Sequence, residues 1–116
     1  MPPIRIVLAE MPQLLHEIFA THIASTPDME EIGGAETRDS ATALVRQGAA
    51  SVVIVGLNGS ELPVPYGRML RDVPGSRVYA IRDGGRSVWL HEMYPRSESL
   101  GDLAPSAVLT SIREGT

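Results

Sequence analysis

The sequence predicts an α/β sandwich built on a largely parallel sheet, and three observations predict it. Apolar runs of strand length alternate with stretches of helical periodicity through the first two-thirds of the chain. The run Val52, Val53, Ile54, Val55 is β-branched throughout, the composition of a strand covered on both faces. Only Arg82-Asp83-Gly84-Gly85-Arg86 separates the strand candidate ending at Ile81 from the next, too short a link for a parallel crossover, so the alternation stops there.

Taken in order, Ile4 to Ala9 is a buried-strand candidate that Glu10-Met11-Pro12 ends, with Pro12 suited to a first helical turn. From Gln13 to Ser25 the apolar positions Leu14, Leu15, Ile18, Phe19 and Ile23 recur at helical spacing and leave His16 and Glu17 toward solvent. Ser25-Thr26-Pro27-Asp28 stops that helix, and Met29 to Ala35 is weakly strand-like. Asp39 reads as the cap of a short helix through Ala41, Leu44 and Val45 that ends near Gly48. The β-branched run follows as the central strand and leaves the sheet at Gly56. Asn58 to Pro65 is loop, Tyr66 to Asp72 a short helix stopped before Pro74-Gly75, and Arg77 to Ile81 a fourth strand. Right-handed crossovers put helices on both faces. Asp83-Gly84-Gly85 is hairpin chemistry, so Ser87 to Met93 is an antiparallel strand at an edge. Pro95 to Asp102 reads as a loop, and Ser106 to Arg113 as the closing helix, with Val108, Leu109 and Ile112 on one side and Pro105 in its first turn.

Composition narrows the function classes. The chain of 116 residues fits one domain spanning 1–116, and its 43% hydrophobic and 21% charged residues belong to an ordinary globular fold. A net charge of −4 gives no basic footprint for nucleic acid, so no direct nucleic-acid binding is expected. No apolar run approaches a membrane span, and Ile4 to Ala9 is too short for a signal-peptide core, so no membrane association and a cytoplasmic location are expected. With no cysteine there is neither a disulfide nor a thiolate site, and all ten basic residues are arginine, which excludes any mechanism that needs lysine. His16, His22 and His91 lack the spacing that sets two ligands on one helical turn, so no metal is expected. Ser60 and Ser87 have no nucleophile context, and Gly33-Gly34 and Gly84-Gly85 lack the strand-turn-helix spacing of a dinucleotide loop. No enzyme and no cofactor are expected.

The segments IRIVLAEMPQLLHEIF, PDMEEIGGAETRDSATALV, SVVIVGLNG and VPGSRVYAI together resemble the receiver domain of bacterial response regulators, closest to those of NarL-type regulators, over about Ile4 to Ile81. The resemblance implies a flavodoxin-like receiver fold with sheet order 2-1-3-4-5. The fourth helix of that fold would be missing, and strands 4 and 5 would be joined as a hairpin around Asp83-Gly85. It also implies a phosphorylation switch, in which an acidic pair holds magnesium, an aspartate accepts phosphate, and a hydroxyl and a lysine complete the site. Carried onto this chain, the acidic pair falls on Glu10 and Met11, the phosphoacceptor on Gly56, the hydroxyl on Arg82, and the lysine near His91 or Glu92. Only one carboxylate survives, and Gly56 carries no nucleophile. The resemblance therefore implies a receiver that has lost aspartyl phosphorylation.

From this follow the candidate residues. Glu10, Met11, Gly56, Asn58, Arg82 and Asp83 would line the degenerate pocket, where Arg82 either pairs with Glu10 as a fixed cation or simply solubilises the hairpin. Tyr79, Trp89, Met93 and Tyr94 gather most of the few aromatics near the hairpin and are candidates for an interface. The expected function is a phosphorylation-independent regulatory module in bacterial signalling or transcription control that binds a protein partner or a second copy of itself. Two alternatives are a sensor of a small anionic molecule in the vacated pocket and the N-terminal receiver part of a longer DNA-binding regulator.

Overall fold

The computed structural model describes residues 3–33, 37–57, 61–82, 87–92, 96–99 and 105–114. In chain order the elements are β1 (Ile4–Ala9), α1 (Gln13–Ala24), β2 (Met29–Glu31), α2 (Arg38–Arg46), β3 (Val52–Gly56), α3 (Val64–Asp72), β4 (Arg77–Arg82), β5 (Ser87–Glu92), β6 (Arg96–Ser99) and α4 (Pro105–Glu114). They build an α/β domain on a six-stranded mixed sheet ordered β2-β1-β3-β4-β5-β6. The first five strands follow the expected order, which is compatible with a flavodoxin-like fold. β1, β2, β3 and β4 pair in parallel, whereas β5 is antiparallel to β4, with Arg82 opposite Ser87 and Tyr79 opposite Leu90. The turn expected around Asp83-Gly85 lies outside the described residues.

Each face of the sheet carries its own core. Ile6, Leu8, Val52, Ile54, Tyr79 and Ile81 point to one side, where Phe19 and Ile23 of α1 and Val108, Leu109 and Ile112 of α4 cover them together with Val88 and Leu90 of β5. Val7, Ala9, Val53, Val55, Val78 and Ala80 point to the other, under Ala41 and Val45 of α2 and Tyr66, Met69 and Leu70 of α3. Val52 to Val55 are fully buried, as the β-branched run requires, and each such side chain is worth about 1.5–3 kcal/mol of transfer energy. The second core contains no residue of β5. That side of β5 is left without the helix that a parallel crossover would have laid over it.

Four sequence expectations need correction. Pro95 to Asp102 is not loop throughout, because Arg96–Ser99 forms β6 against β5. An edge strand of Arg-Ser-Glu-Ser shows no apolar alternation, since pairing by backbone groups needs none. Thr37, not Asp39, caps α2. Its hydroxyl accepts from the Ser40 N–H while Ser40 Oγ accepts from the Thr37 N–H, each at 3.2 Å. The other end of that helix closes on Gly48, whose φ of +80° lets the Gly48 and Ala49 N–H groups reach back to the Val45 and Leu44 carbonyls. The apolar stripe of α1 is narrower than its periodicity implies, since Phe19 and Ile23 are buried but Leu14 is 71% exposed. Lastly, β2 stops at Glu31 rather than running to Ala35.

α4 is tied down by two arginines. Arg77, buried at the start of β4, donates from Nη2 to the Ile112 carbonyl at 3.0 Å, and the Tyr79 hydroxyl meets Ser111 Oγ at 3.0 Å. The cation thus satisfies a carbonyl in the last turn of the helix, where the helix dipole favours it. Arg113 forks onto Asp28 at 2.7 and 3.0 Å, which holds that carboxyl below its usual range.

Candidate functional site

In a parallel sheet every strand end and every following helix N-terminus lie on one rim, and here that rim gathers Glu10 after β1, Gly56 ending β3 and Arg82 ending β4. Ala9 pairs with Val55 and Gly56 with Ile81, so the three chain positions are neighbours. The rim is closed over Gly56. A Cβ built there would lie 2.9 Å from the Glu10 carbonyl oxygen, 3.1 Å from Met11 Cα and 3.2 Å from Met11 Cβ. Backbone is the obstacle, so a side chain at this position cannot be accommodated by a rotamer change. Glycine stands at residue 56 because the Glu10-Met11 segment lies directly on it.

Glu10 itself explains how that segment is held. Its φ is +52°, the left-handed region that costs a non-glycine residue about 1–2 kcal/mol. Its carboxylate accepts from Arg38 Nε at 3.2 Å and Nη2 at 3.0 Å, and from the Tyr66 hydroxyl at 2.5 Å. The Arg38 guanidinium also lies 5.9 Å over the Tyr66 ring. Three donors on one carboxylate offset the backbone cost and fix the turn. Burial, then the Glu10 carboxylate, pushes the Tyr66 hydroxyl well above its ordinary range, so it stays protonated and donating. The same carboxylate raises Arg38 further.

This closed cluster replaces the pairing of Arg82 with Glu10 that the sequence offered, because Arg38 and Tyr66 occupy the carboxylate. Neither had been singled out, although a signal existed for both. Arg38 sits in the first turn of α2, where the helix dipole disfavours a cation, and a residue placed against that preference usually has a specific anion to meet. Tyr66, in the first turn of α3, shares the same rim by the logic of the parallel crossover.

Arg82 instead lies on the α2–α3 side of the sheet with the next strand. Its Nη2 stands 3.4 Å from His91 Nε2, its Cζ is 5.9 Å over the Trp89 ring, and the residue is 9% exposed. Its Nε is buried with no hydrogen-bond partner among the described residues. Burial, then the neighbouring Arg82 charge, holds His91 below its usual range and hence neutral near pH 7. Tyr79, expected at an interface, is fully buried on the opposite face from Trp89 and belongs to the α1–α4 core. Trp89 is half-buried on the side of β5 that contributes no residue to the second core. Asn58, Asp83, Met93 and Tyr94 lie outside the described residues.

A recess of about 410 Å³ adjoins Met11 on the α1 side, lined by Leu8, Glu10, Gln13 and His16, and it does not include Gly56. Among the described residues no three His, Asp or Glu side chains come together to hold a metal ion, and no helix is long and apolar enough to cross a membrane. The chain matches no family model, no curated protein and no solved structure.

Proposed function

We propose that the chain is a receiver-like domain without aspartyl phosphorylation that works as a regulatory protein–protein interaction module in bacterial signalling or transcription control. The observation that carries this reading is the backbone of Glu10 and Met11 lying within 2.9–3.2 Å of any Cβ at Gly56. Where a working receiver needs an open carboxylate, this chain has neither the carboxylate nor the room for one. The one surviving acidic residue, Glu10, is spent on Arg38 and Tyr66 rather than left for a magnesium ion. A fixed rim of this kind favours constitutive contact over switching.

The surface best suited to contact is the side of β5 that carries Trp89, with the β6 edge beside it. Occupation of the Gly56 position by a small metabolite is the weaker reading, because main chain fills the place where such a ligand would sit.

Two measurements on one sample test the proposal. Incubation with a small-molecule acyl phosphate and magnesium, followed by intact mass spectrometry, is expected to add no phosphoryl group. Native mass spectrometry of the chain purified gently from its host is expected to show a dimer or a bound protein, reduced by Trp89→Ala in a variant of unchanged fold. Phosphoryl transfer to the chain sinks the first half of the reading, and a bare monomer in every preparation sinks the second.

A further inference from the structure

We infer that the edge of β6 pairs with β6 of a second copy of this chain, antiparallel about a two-fold axis through Ser97, so that two six-stranded sheets join into one. Sheet order, register and charge meet there. The order β2-β1-β3-β4-β5-β6 ends at β6, and among the described residues no further strand pairs with it. Alternate N–H and C=O groups of an edge strand point away from its neighbour, which makes such an edge a template for another strand.

The order of charges selects the partner. A two-fold axis through an antiparallel seam is perpendicular to the sheet and keeps each face aligned with itself, so a residue meets only a residue of its own face. Leu90 of the α1–α4 core stands opposite Glu98, and Glu92 opposite Arg96, which puts positions 96 and 98 on that face and Ser97 and Ser99 on the other. Only registers centred on a residue satisfy this rule. Centred on Ser97, the seam sets Arg96 opposite Glu98 of the second copy, and Glu98 opposite Arg96 of that copy. Centred on Glu98 it sets glutamate against glutamate, and centred on Arg96 arginine against arginine. Opposite charges directly across a seam stabilise it and like charges destabilise it, so the Ser97 register is favoured.

Within the chain Glu98 has the apolar Leu90 as its cross-strand neighbour, whereas the second copy supplies an arginine position on its other side. The opposite edge of the sheet shows the contrast. β2 is three residues long, Met-Glu-Glu, and its full overlap with a second copy opposes Glu30 to Glu30 of that copy. That edge repels its own kind, so pairing at β6 closes as a dimer rather than growing into a filament. The inference deepens the proposed interaction module by naming its partner, and rests on that reading in taking this end of the sheet as the contact.

The chain has no cysteine, so a single introduced one reports the axis directly. Residues paired across an antiparallel seam have Cα atoms about 4.5–5.5 Å apart, within disulfide reach. Ser97→Cys is expected to give a disulfide-linked dimer under mild oxidation. In Ser99→Cys the two positions lie roughly 13 Å apart along the strands, and no cross-link is expected. The seam is short, so sedimentation of the wild-type chain is followed from about 1 µM to about 1 mM. Dimerisation at least about tenfold weaker in Glu98→Arg, and regained in Arg96→Glu/Glu98→Arg, is expected. Monomer throughout with no Ser97→Cys cross-link overturns the inference, as do equal cross-linking through Ser99→Cys, a dimer indifferent to Glu98→Arg, and a double variant no tighter than the single. Should Glu98→Arg unfold, the two cysteine variants decide. A monomer that holds some other protein also overturns it and leaves the interaction-module reading standing, whereas phosphoryl transfer to the chain sinks that reading and leaves this dimer untouched.

Discussion

Two stretches of one sheet rim treat an arginine in opposite ways. At the end of β1, Arg38 forks onto Glu10, Tyr66 completes the carboxylate, and main chain closes over Gly56. At the end of β4, Arg82 is buried and its Nε has no acceptor among the described residues, beside a strand that contributes nothing to the second core. The first region pairs its arginine with a carboxylate, whereas the second leaves one guanidinium N–H without an acceptor among the described residues. The difference follows from connectivity. Parallel crossovers bring α2 and α3 back over β1, β3 and β4, and their first turns deliver partners to the rim. The antiparallel step from β4 to β5 brings no helix, and among the described residues no carboxylate reaches Arg82.

The largest test of this contrast is Gly56→Asp. Because the new Cβ meets backbone, the Glu10-Met11 segment must move, and a loss of about 2–3 kcal/mol in urea unfolding is expected. Unchanged stability would mean that the rim is not closed. Next comes Arg38→Ala, which leaves a left-handed Glu10 with Tyr66 alone. The pair is partly exposed, Arg38 at 40% and Glu10 at 23%, so solvent screening limits the cost to about 1 kcal/mol. Thermal unfolding at low and high salt checks this, and the same loss in both would argue against an electrostatic origin.

A smaller effect is expected on the alkaline side. Burial raises the hydroxyl pKa of both Tyr66 and Tyr79 above the unfolded value, so the folded state holds protons that the unfolded chain releases. Their contribution is fully present below about pH 10 and is lost as the pH rises toward the folded values. Tyr66→Phe should flatten that decline; an unaltered slope would assign it to Tyr79. Smallest of all is Arg82→Leu, expected to leave stability unchanged or slightly higher, since a buried charge with no carboxylate partner among the described residues is exchanged for an apolar group. It should also raise the His91 pKa toward its ordinary value by removing one of the two causes of its depression, a shift that NMR titration reads. A loss as large as that of Arg38→Ala would erase the contrast between the two regions.

How much of this the sequence disclosed depends on distance along the chain. The β-branched run of β3, the periodicity of α1 and the short link before β5 are local signals, and they gave the element order, the parallel half and the antiparallel step. β6 escaped because its residues carry no pattern that backbone pairing requires. Glu10 and Gly56 were recognisable as rim residues, but the contact between them depends on a left-handed turn that no residue type announces. Arg38 and Tyr66 come from two other helices, 28 and 56 positions from Glu10, so only the assembled sheet could join them. Arg82 offered two readings, and which neighbour it would take was fixed by strand register rather than by its own surroundings in sequence.

The change from parallel to antiparallel pairing also divides the molecule in time. β4, β5 and β6 pair with neighbours next in the chain, whereas β1 meets β3 only after α1, β2 and α2 have been laid down. Short loop closures are fast and distant ones slow, so the meander is positioned to form first and the rim around Gly56 to lock last. A weakened β4–β5 pair should then slow folding, while a disturbed rim should chiefly hasten unfolding, a split that the two arms of a denaturant chevron separate.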